Sequence, residues 1–196
     1  MTIKTQSEAL FEMFCQQNLL NWERVPTSTA KTHDFNLQLG ASTVAVEIEQ
    51  IESLRGFNPS GVSSRVVGSH ARHKITEARG QLQLAAQSGA PTILLIHNTI
   101  DPMQLFGTEQ HDFIGAMYGE LTVHILDGSL GRPFHGRNAK LRSNANTSFS
   151  GVGHLMRHGT GAKITVYENI YAAYPLPFEQ IPRCIDVVRV AVEDAA

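Results

Sequence analysis

Cysteine is nearly missing from this chain: Cys15 and Cys184 are the only two among 196 residues. Two thiols without metal spacing exclude a disulfide scaffold and a thiolate zinc module. Long apolar runs are missing as well. The longest, Ile93 to Ile96, is far below the ~20 residues that span a bilayer. The opening Met1 to Glu8 lacks the apolar stretch of a signal peptide, so a cytoplasmic protein with no membrane partner is the expectation. Nucleotide and hydrolase signatures are absent too. Gly151-Val152-Gly153 is not continued into a six-residue glycine pattern after a strand, and neither a Gly-x-Ser-x-Gly elbow nor a His-Glu-x-x-His motif occurs. Without repeats or linkers, and with 42% hydrophobic and 17% charged residues, residues 1–196 read as one globular domain.

What is present is a cluster of acids in two adjoining alternating segments. Phe35, Leu37 and Leu39 alternate with Asp34, Asn36 and Gln38; Val44, Val46 and Ile48 alternate with Ala45, Glu47 and Glu49. If Gly40-Ala41 is a two-residue turn, Leu39 pairs with Ser42, and counting outward sets Asp34 opposite Glu47. Cross-strand Cβ atoms lie about 4.5–5.5 Å apart, where uncompensated like charges repel. Such a pair suits a hard divalent cation; as the exposed face of a half-buried hairpin it is equally a solubilising surface.

The neighbouring elements complete a pattern. An amphipathic helix with Leu10, Phe11, Phe14 and Leu19 at helical spacing, and Glu8 near its start, comes first. A strand at 21–25, the acidic hairpin, a helix over 69–88 and the apolar strand 91–97 follow. This α-β-β-β-α-β order, with an acid in the first helix, Asp opening the second strand and Glu-x-Glu in the third, resembles the PD-(D/E)XK restriction-endonuclease-like superfamily. The motif's Pro-Asp is His33-Asp34 here, and its (Asp/Glu)-x-Lys is Glu47-Ile48-Glu49, with glutamate in the lysine position. The resemblance implies an α/β fold with a central mixed sheet flanked by helices. It also implies Mg²⁺ (or Mn²⁺) held by Asp34 and Glu47, with Glu8 as an outer-shell ligand. Glu49 would ligate a second metal or activate water, as in restriction-enzyme branches with Glu-x-Glu.

Relatives also relocate the lysine, with a glutamine, to the following helix. Lys74, Glu77 and Gln81 stand at i, i+3 and i+7 on one face there, which makes Lys74 and Gln81 candidate catalytic residues; an ordinary solvated Glu–Lys pair has the same spacing. The implied activity is hydrolysis of DNA phosphodiester bonds. The alternative is an inactive nuclease fold serving as a nucleic-acid-binding or assembly module, favoured by Glu49 and by His33 where the motif has proline.

A net charge of −2 argues against a simple basic nucleic-acid binder, but charge is segregated. Residues 53–76 carry Arg55, Arg65, Arg72 and Lys74 without an acid. Residues 128–167 carry Arg132, Arg137, Lys140, Arg142, Arg157 and Lys163, also without one. The acid-free 128–148 and the turn-rich 57–64 read as loops. Arg72, Arg132, Arg137, Lys140 and Arg142 are the candidate phosphate contacts; chance clustering in surface loops gives the same pattern. His154 and His158 lack the companions of a zinc site. Residues 120–126, 162–167 and 186–192 are expected as further strands of the same sheet, 108–118 as a helix, and a homodimer is possible.

Overall fold

The computed structural model describes residues 4–26, 32–52, 62 and 64–190. Arg55 and most of the 57–64 turn segment lie outside the described residues.

Helix α1 (Gln6–Gln17) begins with a reciprocal cap. The Thr5 hydroxyl accepts from the Glu8 N–H at 3.2 Å, and the Glu8 carboxylate accepts from the Thr5 N–H at 2.6 Å. Its apolar stripe buries Leu10, Phe11, Phe14 and Cys15. Leu19, expected on that stripe, is instead 93% exposed, because the helix stops at Gln17 and Leu19 takes a φ of 54°.

Strands β1 (Trp22–Arg24), β2 (Phe35–Leu39) and β3 (Ser42–Ile51) form an antiparallel meander. The expected turn is present: Leu39 pairs with Ser42, and Gly40 takes the positive φ of 56° that the turn requires. The segment after β3 crosses over through α2 (Ser69–Glu77) and α3 (Arg79–Ala86), which replace the single helix expected over 69–88 and meet at Ala78. β4 (Thr92–Asn98) then pairs parallel with β3 and is buried along its whole length, with the apolar run Ile93 to Ile96 at its centre, as suits an interior strand of the sheet.

After α4 (Gln110–Tyr118) come four two-residue strands: β5 (Leu121–Thr122), β6 (Ile125–Leu126), β7 (Ser129–Leu130) and β8 (Phe134–His135). β5 pairs with β8 and β6 with β7, so residues 120–126 belong to a separate hairpin and not to the central sheet as expected. Part of the anticipated 128–148 loop is the return limb of that hairpin.

β9 (Gly151–His158), β10 (Gly161–Glu168) and β11 (Ile185–Val188) rejoin the sheet, whose order is β1-β2-β3-β4-β9-β10-β11. The fold is thus mixed α/β, a seven-stranded mixed sheet flanked by helices. One face packs Phe35, Val46, Ile48, Leu95 and Val166 against α1. The other packs Ile51, Leu94, Ile96 and Val152 against α2, α3 and α4. No helix among the described residues is long and apolar enough to cross a membrane.

Candidate metal centre and its flanking groove

The acidic end of the β2–β3 hairpin is built by backbone hydrogen bonds. Asp34 donates its N–H to the Val46 carbonyl at 3.1 Å, and its Oδ2 accepts from the Ile48 N–H at 2.8 Å. These bonds straddle Glu47 and set Asp34 opposite it, in the register counted from the turn.

The hairpin is not half-buried throughout. β2 alternates between buried and partly exposed residues, but β3 is buried continuously from Val44 to Ile48. The second face of β3 is covered by α2 and α3, which pack against it. Glu47 is consequently only 5% exposed, and its Oε2 has no hydrogen-bond partner among the described residues. Burial pushes the Glu47 carboxyl up to about 9, and the charges of Asp34, Glu49 and Glu8 add to the shift. Asp34 is pushed up to about 6, again mainly by burial, with the Ile48 N–H opposing. The Asp34 N–H opposes the Glu47 shift, but with Oε2 unpartnered and other carboxylates nearby the ionised form of Glu47 is disfavoured unless a cation joins it, and without one the group stays protonated at neutral pH.

Glu8 stands beside this pair without being available to it. One of its oxygens takes the Thr5 N–H and the other Arg24 Nη1 at 3.0 Å, so both are already engaged. Arg24 also reaches Glu12 at 2.8 Å and lies over the Phe35 ring. This counter-ion is invisible in the sequence, since nothing local in Trp22-Glu23-Arg24 marks its direction.

Lys74 is not on a solvated face. Its Nζ lies 3.0 Å from Glu49 Oε2 and 2.7 Å from Glu77 Oε2. Burial works against the ammonium, but its hydrogen bonds to Glu77 and Glu49 more than offset this and hold Lys74 above its usual value. Glu49 is raised by burial, with Lys74 opposing the shift. The helix therefore delivers an ammonium to Glu49 on β3. Gln81, seven residues beyond Lys74 and in α3, has a buried Oε1 without a hydrogen-bond partner among the described residues.

A cavity of about 380 Å³, lined by Gln50, Glu52, His73, Lys74 and Glu77 among others, opens beside this cluster. It shares Ser69 and His73 with a second cavity of about 540 Å³ lined by Arg72, Lys140 and Arg142. Arg72 is fixed there by hydrogen bonds to the Val67 and Gly115 carbonyls at 2.7 and 3.2 Å. The candidate phosphate contacts are thus divided. Arg132 and Arg137 are exposed on the hairpin arm and its root, outside this lining.

Another cluster is tighter. Among the described residues, Glu109, His111 and Asp112 are the trio whose candidate ligand atoms all lie within 4.8 Å of one another, and they could hold a metal ion. Their charge is already compensated. The Arg65 guanidinium pairs with Asp112 and lies 3.7 Å from Glu109, while Asp112 accepts the Gly68 N–H at 2.8 Å, joining the starts of α2 and α4. Asp34, Glu47 and Glu49 do not form so close a trio, so a cation there would have at most two of these carboxylates to bind and would need water to complete its shell.

His154 and His158 fall on strand β9, where four residues span about 13 Å, too far for one zinc ion. No family model matches this chain, and no curated protein or solved structure matches it significantly.

Proposed function

We propose that the protein is a Mg²⁺- or Mn²⁺-dependent phosphodiesterase acting on DNA, built on a restriction-endonuclease-like core. The observation that supports this reading best is the buried, unpartnered Oε2 of Glu47 across the hairpin from Asp34, with the Lys74 ammonium held by Glu49 two residues along the same strand. Asp34 and Glu47 hold the metal, and Glu8 with Arg24 sets the field behind them. The bound metal supplies charge neutralisation and a water nucleophile of lowered pKa. Lys74 supplies positive charge at the phosphate, and Glu49 both positions that ammonium and accepts a proton. Gln81 contributes hydrogen bonding beside them. Arg72, Lys140 and Arg142 line the path along which a phosphate backbone enters.

Isothermal titration with Mn²⁺ tests the centre. Binding is expected in the parent protein and lost in both Asp34→Ala and Glu47→Ala; unchanged affinity in the two variants would remove the metal site from this hairpin. The groove has its own test. Lys140→Ala with Arg142→Ala should make the salt dependence of DNA binding shallower by up to ~1.8 in log–log slope, since each phosphate that a cation neutralises contributes ~0.9. Arg132→Ala with Arg137→Ala, outside the cavity, should leave that slope unchanged.

Glutamate at position 49 favours a second reading, an inactive nuclease fold that binds nucleic acid or serves in assembly. Plasmid nicking in Mg²⁺ or Mn²⁺, measured beside DNA binding in Ca²⁺, separates the two. Binding without nicking selects the second.

A further inference from the structure

Where β4 and β9 end, a small cavity of about 150 Å³ opens on the sheet face that carries α1. Strand alternation sets that face. Ile96 packs toward α2, α3 and α4, so His97 points the other way, beside its cross-strand neighbour Gln50, whose amide oxygen accepts the Ser7 hydroxyl of α1 at 3.1 Å. Most polar side chains of the lining are committed to fixing the wall. Asn98 Oδ1 accepts the N–H groups of Ile100 and Asp101, both at 3.1 Å, and the Thr99 hydroxyl donates to the Ile51 carbonyl at 3.0 Å. The Asp101 carboxylate is turned onto its own loop, where it takes the N–H groups of Met103, Leu105 and Phe106 at 2.9, 2.9 and 2.8 Å. Gln104 then braces this loop against β9: its Nε2 donates to the Arg157 carbonyl at 3.0 Å, and its Oε1 accepts the Arg157 N–H at 2.7 Å. Its own φ of 54° is one that a residue other than glycine rarely takes, so strain is held here to clamp the backbone of a single position, Arg157.

Three side chains of the lining have no such task. His97 is only 2% exposed, and its Nδ1 lies 2.7 Å from the Leu155 carbonyl oxygen. A carbonyl can only accept, so Nδ1 carries the ring proton and Nε2 is left as a bare lone pair, with no hydrogen-bond partner among the described residues. Burial holds the imidazole below its usual value, against the Leu155 hydrogen bond and with the nearby Arg157 charge adding to the shift, so the ring is neutral at pH 7.5. The Arg157 guanidinium and the Gln6 amide, likewise without partners among the described residues, supply donors. The cavity thus offers a cationic fork, an amide and one acceptor locked in that role. An anion that lacks a proton meets only part of this set, because its oxygen lone pairs repel that of Nε2. Inorganic phosphate keeps at least one O–H at pH 7.5, whereas sulfate has none and a phosphomonoester, with a second pKa of about 6, has largely lost its own. The volume is also about half of the ~300 Å³ at which pockets for drug-sized ligands begin, which suits a single tetrahedral ion.

We propose that this cavity is a site for inorganic hydrogen phosphate, with Arg157 and Gln6 holding its anionic oxygens and its O–H donated to His97 Nε2. The site lies across the sheet from α2 and Lys74 and does not depend on the Asp34–Glu47 pair, so a failure of the nuclease reading leaves it standing.

Isothermal titration of the full chain at pH 7.5, without metal, should show one inorganic phosphate bound per chain. Sulfate and methyl phosphate should bind at least ~10-fold more weakly, since each leaves the buried Nε2 unpaired. This choice among ions reads the role of His97 in the parent chain itself, without a substitution at so buried a ring. Arg157→Gln changes an exposed side chain and leaves the backbone clamp to Gln104 in place, and it should weaken phosphate at least ~10-fold. Lys140→Ala with Arg142→Ala, in the groove beside α2, should leave phosphate affinity unchanged. Absence of phosphate binding, or equal affinity for the three anions, overturns the proposal. Phosphate binding that survives Arg157→Gln overturns it as well, and its loss in the Lys140→Ala, Arg142→Ala variant would assign the ion to the groove instead.

Discussion

Lys74→Ala is expected to lower metal-dependent cleavage of DNA at least ~10²-fold while leaving DNA affinity in Ca²⁺ nearly unchanged, because the ammonium acts on charge that develops during the reaction. Its place in the site follows from two contacts, 3.0 Å to Glu49 and 2.7 Å to Glu77. Glu49→Ala should cost a similar factor, since it releases the ammonium from the strand and removes a proton acceptor. The two effects should not add, because both variants break one unit. Glu49→Lys alone sets two ammonium groups side by side and should also fail. Combined with Lys74→Ala, it returns a single ammonium to β3, in the place where the endonuclease-like motif has it, and cleavage should recover to within about tenfold of the parent. If the parent and this double variant are both inactive, the fold has lost catalysis. Cleavage that survives both Glu49→Ala and Lys74→Ala refutes the role given to the pair.

The register that brings Asp34 to Glu47 was legible because it depends on local rules alone: a glycine turn and two runs of strict alternation. That residues 91–97 form an apolar strand was legible for a similar reason, whereas its place at the middle of the sheet was not, since an apolar run does not name its neighbours. The burial of Glu47 was not. Alternation assigns Ala45, Glu47 and Glu49 to one face of β3, but whether that face meets water depends on where α2 and α3 settle, which is a tertiary matter. The Lys74–Glu49 contact was hidden likewise. Lys74, Glu77 and Gln81 share a helix face by spacing, and that spacing is the same on a solvated helix and on one packed over an acidic strand. The arm is a third case. Residues 120–126 have a strand-like pattern, but an alternating segment does not name its partner, and here the partner is its own return limb. Leu19 shows the converse, a residue in phase with a helical stripe but beyond the helix end.

The pH dependence of stability without metal should be steep and should be reversed by metal. In the folded chain Asp34 titrates at about 6 and Glu47 at about 9, against ordinary values of 3.8 and 4.5. For a carboxyl raised in this way the fold favours the protonated form. Its stabilisation is complete below the ordinary value and is lost as pH rises through the folded one. Between about pH 4 and 6.5 the loss through Asp34 and Glu47 is opposed by buried His154, whose imidazole is held down at about 4, so the melting temperature of the metal-free protein should fall chiefly above pH 6.5, through Glu47, as far as about pH 9. The slope is at most ~1.4 kcal/mol per pH unit for each group still taking up a proton on folding. Mn²⁺ or Mg²⁺ should reverse the trend, since a metal binds the ionised carboxylates and its affinity rises with pH. At a hundred times its dissociation constant it adds about 2.7 kcal/mol. Glu47→Gln separates the causes. It keeps the shape of the side chain and removes the charge, so without metal the variant should be more stable than the parent at pH 8, with a flatter pH profile and no gain from Mn²⁺. A buried acid with no metal to hold would give the same flattening in the variant, but the parent would then show no response to Mn²⁺ at any pH. Superimposable profiles for the parent and Glu47→Gln would mean that Glu47 is not the strained carboxyl at all.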